Sequence, residues 1–143
     1  MLKGISPLLS PELLAALRAM GHGDELVLAD ANFPAASTAA RLIRADGHGI
    51  PELLEAILTL LPVDTYVPQP AAVMAAVPGD PPAPAVWERY RELLRLHERR
   101  EVGIAELERF AFYERAGRAY AVVATSEPAP YGNLILTKGV VRT

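Results

Sequence analysis

A chain of 143 residues with a formal net charge of -3 can bury one substantial core, and it lacks the basic face that neutralising nucleic-acid phosphates requires. It contains no cysteine, which excludes disulfides, thiolate nucleophiles and thiolate-held metals. Half of it is hydrophobic, yet no stretch approaches a membrane span and the opening residues carry no signal-peptide core, so a soluble, cytoplasmic protein with no membrane partner is expected.

Ser10-Pro11-Glu12 predicts a helix start, with a capping hydroxyl, a proline at the first helical position and an acid in the first turn. Leu13, Leu14, Leu17 and Met20 follow at helical spacing, and Gly21 stands where a left-handed C-terminal residue is wanted. Residues 25–29 are apolar and bounded by turn residues, as in a buried strand, and residues 33–38 read as a loop. A second strand is expected at 41–45, and a second helix opens at Pro51-Glu52 with Leu53, Leu54, Ile57, Leu58 and Leu61.

A third strand is expected at 71–77, ended by Pro78-Gly79-Asp80. A longer helix follows from Pro84, carrying Val86, Tyr90, Leu93, Leu94 and His97 along one side. Its arginines between Arg89 and Arg100 interleave with Glu88, Glu92 and Glu98, the pattern of a solvated helix face. His97 is expected to face solvent or a subunit contact. The remainder reads as a short strand at 102–107, a helical turn or two at 110–117, and strands at 119–125 and 134–137. Strands alternating with helices predict an α/β fold: a single three-layer domain over residues 1–143, its sheet covered on both faces. The last two strands are expected to pair as an antiparallel hairpin.

Two segments carry candidate chemistry. His22 lies between Gly21 and Gly23 ahead of the first strand, and Asp30 lies at that strand's carboxyl end, where open α/β sheets place ligands. They fall at opposite ends of one strand, so a loop or a second subunit has to unite them. Tyr131-Gly132-Asn133 offers a hydroxyl, a flat apolar face and an amide that both donates and accepts, a mixture suited to a sugar. The structural alternatives are a hydrogen-bonded turn histidine, an aspartate that organises the turn after it, and a turn with Gly132 at positive φ and Tyr131 as a lid on the core. His22, His48 and His97 have no zinc-motif spacing, so no metal is expected. No phosphate loop, dinucleotide fingerprint or Gly-x-Ser-x-Gly elbow is present, so no cofactor is expected.

Taken together, these segments resemble the family of L-fucose mutarotase and D-ribose pyranase over essentially the whole chain. The resemblance runs from Leu2-Lys3-Gly4-Ile5-Ser6-Pro7 through Gly21-His22-Gly23-Asp24-Glu25 and Asp30-Ala31-Asn32-Phe33-Pro34 to Ile43-Arg44-Ala45-Asp46-Gly47. It resumes at Arg109-Phe110-Ala111-Phe112-Tyr113-Glu114-Arg115 and at Tyr131-Gly132-Asn133-Leu134-Ile135-Leu136. The arginine block and the opening residues resemble the fucose branch; in the ribose branch a histidine takes the place of Arg109. Where fucose-branch members often carry a histidine, this chain has Ala36.

The resemblance implies a ribose pyranase-like fold with a mixed, mostly parallel sheet flanked by helices. It implies that His22 is the catalytic acid and that Asp30, Arg109, Tyr131 and Asn133 contact the sugar, with Tyr113 and Gly132 as further candidates. It also implies a homo-oligomer, a decamer of stacked rings with sites near subunit contacts. Mutarotation opens the pyranose and recloses it on the other face of the aldehyde, using one proton donor and one acceptor. Imidazoles, with an ordinary pKa of about 6.5, serve in either direction near neutral pH. The leading expectation is an isomerase exchanging the α and β anomers of L-fucose or a related aldose. The alternatives are a D-ribose pyranase and a non-catalytic sugar-binding protein.

Overall fold

The computed structural model describes residues 1–143 as six strands and five helices. In chain order they are α1 (Pro11–Ala19), β1 (Glu25–Ala29), α2 (Ala35–Thr38), β2 (Leu42–Ala45), α3 (Ile50–Leu58), β3 (Ala71–Met74), α4 (Val86–Glu98), β4 (Ile104–Leu107), α5 (Arg109–Arg118), β5 (Ala121–Thr125) and β6 (Leu134–Thr137).

Local chemistry sets most helix ends. The Ser10 hydroxyl accepts the Leu13 N–H at 3.2 Å, satisfying one of the amides that a helix start leaves open. Glu52 reaches back to the Gly49 N–H at 2.7 Å at the start of α3. The Glu108 carboxylate caps α5 by accepting from Phe110 and Ala111 at 2.9 and 3.1 Å. Helix α1 ends differently from expectation: Met20 turns the chain into extended backbone, and the left-handed residue is Gly23 (φ 87°), not Gly21. Gly21 instead donates its N–H to Asp24 Oδ2 at 2.7 Å, which tightens the turn around His22. Residues 35–38, expected in a loop, form the single turn α2 because Thr38 and Ala39 return their N–H groups to Pro34 and Ala35.

The sheet runs in the order β2-β5-β1-β6-β3-β4. β1, β2 and β5 pair in parallel, as do β3 and β4; β6 alone runs against its neighbours β1 and β3. This is the mixed, mostly parallel sheet expected, with one correction. β5 and β6 form no hairpin, because β1 lies between them. β1 and β5 are buried at nearly every position, so both are central strands, and β6 is taken up on the other side of β1. β3 also stops three residues earlier than expected. Ala75 N–H still reaches Leu107 O at 2.8 Å, and Pro78 supplies no N–H to continue the ladder.

One face of the sheet packs on α1, α3 and α4 through Leu13, Leu17, Leu53, Leu54, Ile57, Tyr90, Leu93 and Leu94. The other packs on α2 and α5 through Ala35, Phe112 and Ala116. Every residue of β6 is buried, and its two faces feed the two clusters, Leu134 and Leu136 on one side and Ile135 on the other. Each such side chain contributes about 1.5–3 kcal/mol of burial. α4 keeps its charged side toward solvent, with Arg89–Glu92 and Arg91–Glu88 pairs three residues apart. His97 is half-buried, and its Nε2 is covered without a hydrogen-bond partner.

Beyond β6 the chain passes close to the segment after α3. A Cβ on Gly139 would lie 2.8 Å from Asp64 Cα and 2.8 Å from Val63 O. We therefore expect Gly139→Ala to lower the unfolding free energy by about 1–3 kcal/mol, the usual range for forced overpacking. Urea denaturation checks this, and a midpoint equal to wild type would show that the backbone there yields freely.

Candidate active site

The carboxyl end of β1 meets the start of β6, and the polar residues there are built into the sheet. Asp30 N–H donates to Asn133 Oδ1 at 2.7 Å. The Asp30 carboxylate accepts from Asn32 N–H at 2.9 Å and from Gly132 N–H at 3.2 Å. Both side chains are buried. Burial pushes the Asp30 carboxyl above its ordinary value, against the lowering effect of the Asn32, Gly132 and Phe33 N–H groups and the Asn133 side chain. Asp30 thus both organises the turn that follows it and lines a cavity.

Tyr131 is held through its backbone. Its backbone is left-handed (φ 60°), the conformation expected of Gly132, which instead has ordinary φ. Trp87 Nε1 donates to Tyr131 O at 2.8 Å, and the Tyr90 hydroxyl donates to Gly132 O at 2.6 Å. Gly132 is required for close approach: an added Cβ would lie 2.8 Å from Ala129 O and 3.1 Å from Glu127 Cγ. Glu127 is itself buried and accepts from Ile50 and Ala129 N–H groups at 3.0 and 3.1 Å. Burial, reinforced by the Glu127 and Asp30 carboxylates, drives the Tyr90 phenol far upward, so it stays a neutral donor.

These groups open onto a cavity of about 200 Å³ lined by Asp30, Asn32, Asp80, Arg109, Tyr113, Tyr131 and Asn133, with Phe33, Met74 and Pro130 as its apolar part. α5 brings Arg109 and Tyr113 to it, and Phe33 stacks edge-on against Tyr113 with ring centroids 5.4 Å apart. Ala36 lines a neighbouring depression on the other side of Asp30, with Ser37, Arg44 and Asp46. Donors (Arg109), acceptors (Asp30, Asp80), dual groups (Tyr113, Tyr131, Asn133) and apolar surface therefore converge, as hydroxyl-rich ligands require.

His22 lies elsewhere. At about 3.3 Å per residue, the four steps along β1 put roughly 13 Å between its first and last residues, and His22 precedes the first of them. Its turn is pinned to the far end of β6: Gly23 N–H donates to Lys138 O at 2.9 Å, and Lys138 N–H to Asp24 O at 2.9 Å. His22 Nε2 bonds Asp64 Oδ1 at 2.9 Å, and Tyr66 packs its ring 4.9 Å from the imidazole. Asp64 is buried, and its carbonyl accepts from Arg100 at 2.8 Å. Desolvation pulls the Asp64 carboxyl upward, but the His22 hydrogen bond and the Tyr66 and Thr65 N–H groups outweigh it and hold it below its ordinary value. An ionised carboxylate only accepts, so Nε2 carries the proton and Nδ1 is the nitrogen left to react.

The model of the RbsD / FucU transport protein family matches residues 3–141. The chain belongs to that family. Among members of the RbsD / FucU family, human fucose mutarotase is 59% identical, the match covering 98% of this chain and 94% of the human one. The crystal structure of fucose mutarotase from Streptococcus pneumoniae in complex with L-fucose superposes with a TM-score of 0.94 at 51% identity, covering 99% of this chain and 100% of that one. RbsD from Bacillus subtilis, solved with D-ribose, shares the fold with a TM-score of 0.73, covering 99% of this chain and 100% of that one, but only 24% of its residues.

In this RbsD / FucU family member the fold gathers Asp30, Arg109, Tyr113, Tyr131 and Asn133 around one cavity, with Gly132 behind them. It leaves His22 at the other end of the sheet and gives it Asp64. Asp64, Asp80, Tyr90 and Glu127 escaped the sequence reading. Asp64 follows Pro62-Val63 without turn or helix periodicity, and Asp80 reads as ordinary turn chemistry in Pro-Gly-Asp. Only Tyr90 had a signal, its place on the apolar side of α4, and that marks core before site.

A carboxyl held below its ordinary value binds fewer protons folded than unfolded. Its stabilisation is full above the ordinary carboxylate range and is lost as pH falls through the depressed value. Asp64→Asn should therefore be less stable than wild type at neutral pH, with the gap closing as pH falls below the ordinary carboxylate range and through the depressed value. Urea unfolding across that range measures it; a pH-independent gap would mean that the Asp64 charge contributes nothing.

Proposed function

We propose that this chain is a fucose mutarotase-type isomerase that exchanges the α and β anomers of free L-fucose, at a site shared by two copies of the chain. The observation that carries the activity is the close likeness, over the whole chain, to a fucose mutarotase solved with L-fucose. The likeness to the ribose-bound relative extends to the fold alone. Arg109, Asp30, Asn133 and Tyr131 suit the sugar hydroxyls, and the apolar wall of Phe33 and Met74 suits a deoxy sugar's methyl group.

The chemistry needs no electron acceptor. An acid delivers a proton to the ring oxygen while a base takes the anomeric hydroxyl proton; the C1–O5 bond breaks and the C1 carbonyl forms. Rotation about C1–C2 presents the other carbonyl face, O5 attacks it, and both protons return. His22 is assigned the proton-donating role: as the imidazolium, protonated on both nitrogens, it gives the Nδ1 proton to O5 and becomes the neutral Nε2–H form. Asp64, bonded to Nε2, fixes the ring orientation and stabilises the imidazolium that donates.

Two features support a site made between copies in a homo-oligomer, which we take to be a decamer. The His22 side chain is 44% exposed and lies before the start of β1, at the end of that strand opposite Asp30. Apolar groups are also left open beside each half: Tyr66, Val67 and Val141 near His22, and Phe110 beside Arg109. A copy placing its His22–Asp64 pair over a neighbour's Asp30 cavity would complete the acid/base set and cover those surfaces. We read residues 1–143 as one sugar-converting domain. No helix is long and apolar enough to cross a membrane, and we assign the enzyme to the cytoplasm.

Saturation-difference NMR of L-fucose should show anomer exchange accelerated by wild type. His22→Ala should lose roughly 10²- to 10⁴-fold of it with the fold intact, the usual scale of general acid/base assistance. Acceleration retained in that variant would move the proton to another group. His22→Ala and Asn133→Ala should each be inactive alone, yet co-expressed at equal levels should recover roughly a quarter of wild-type activity through random mixing of copies in a symmetric oligomer. Complete silence of the mixture would place both halves of a working site in one chain.

A further inference from the structure

The segment between β3 and α4, residues 75–85, contains Pro78, Pro81, Pro82 and Pro84 and a left-handed Gly79 (φ 95°). It leaves the sheet at Met74, which lines the cavity, and returns at α4, whose Trp87 binds the Tyr131 carbonyl. Between those anchors it touches the Tyr131 phenol twice. Val77 N–H donates to the phenol oxygen at 3.4 Å, and the phenol donates a short hydrogen bond to Asp80 Oδ2. The prolines restrict the backbone before folding, so less entropy is lost in holding Asp80 at the rim.

A phenol has one proton to give. With that proton committed to Asp80 and the Val77 N–H already approaching the oxygen, what Tyr131 still offers the cavity is a lone pair. Asp80 is exposed and keeps its second oxygen, Oδ1, for a further donor. Arg109, also lining the cavity, supplies only donors.

We infer that Asp80 is a positioning residue for the sugar: it consumes the Tyr131 hydroxyl proton, so that Tyr131 meets the substrate as an acceptor opposite the donor Arg109. The site is thereby polarised, and a sugar is selected by which of its hydroxyls can donate on the Tyr131 side. Without Asp80 the phenol regains its proton for donation and its swing about the ring bond, and the pattern is lost. The hydrogen bond to Asp80 is also the main cause that raises the Tyr131 phenol above its ordinary value, the direction expected when a carboxylate stabilises the protonated phenol.

This inference rests on the reading of the cavity as a sugar site, and two readouts separate its failure from the failure of that reading. In NMR exchange kinetics on L-fucose, Asp80→Ala should raise KM about tenfold with a smaller loss in kcat, the scale of one charge-assisted hydrogen bond. Asp80→Asn, whose amide oxygen still accepts the phenol proton, should recover most of that loss. Adding Asp80→Ala to Tyr131→Phe should cost little beyond Tyr131→Phe alone, because Asp80 acts through the phenol. Spectrophotometric titration, with Tyr131→Phe identifying the transition, should show Tyr131 ionising at lower pH in Asp80→Ala. A KM within twofold of wild type, or effects that add fully in the double variant, would overturn the inference while the mutarotase reading stands. If wild type itself fails to exchange L-fucose, the mutarotase reading falls and the titration decides the Tyr131–Asp80 pairing alone: an unmoved transition overturns it.

Discussion

β6 is the element on which the rest depends. It runs antiparallel between β1 and β3 with every residue buried, so its register is fixed by two hydrogen-bond ladders and by both core clusters at once. Its leading end delivers Gly132 and Asn133 to Asp30. Its trailing end holds the His22 turn through Lys138 and Asp64 through the Thr137 carbonyl. A slip of one residue would exchange the side chains that face the two core clusters and would separate Asp30 from Asn133. The chemistry at both ends of the sheet is therefore set by one strand's register.

The polar groups that β6 brings indoors are satisfied in a connected set, as a buried network must be to avoid large desolvation costs. Thr125 donates to Ala29 O at 2.7 Å and accepts from Glu127 N–H at 3.1 Å. Glu127 then holds the start of α3, and its carbonyl accepts from Ala31 N–H at 2.9 Å. Tyr90 closes the set on Gly132 O. The carboxyl end of β1 is thus fastened to β5, β6, α3 and α4 together. A small cavity can keep its donors and acceptors aimed only if they are anchored in this way.

The two ends of the sheet divide the work by electrostatics. At the cavity, burial raises Asp30, and the Asp80 carboxylate keeps the proton on Tyr131, so that end offers a defined pattern of donors and acceptors to hydroxyls. At the other end, Asp64 is kept ionised by its hydrogen bonds and so dictates which imidazole nitrogen of His22 is free. In the proposed reading, one end recognises and the other moves a proton. A reaction that only opens and recloses a ring asks for those two capacities and no redox group.

Much was legible in the sequence because it is written locally. The Ser10 cap, the apolar run of β1, the helical spacing of Leu53, Leu54 and Ile57, and the placing of Asp30 at a strand end all follow from near neighbours and short-range sterics. So does the separation of His22 from Asp30, since a short strand between them forces it. Three-dimensional packing decided the rest. Whether β6 pairs with β5 or inserts beside β1 is a choice among partners far apart in the chain, settled by which faces the helices cover. The His22–Asp64 pair joins residues 42 positions apart, Tyr131–Asp80 joins residues 51 apart, and Asp30–Asn133 joins residues 103 apart. The sequence by itself determined the elements and the residue types available for sugar chemistry. Only the tertiary structure decided which of those residues meet, because such contacts depend on strand order and register, and local periodicity carries neither.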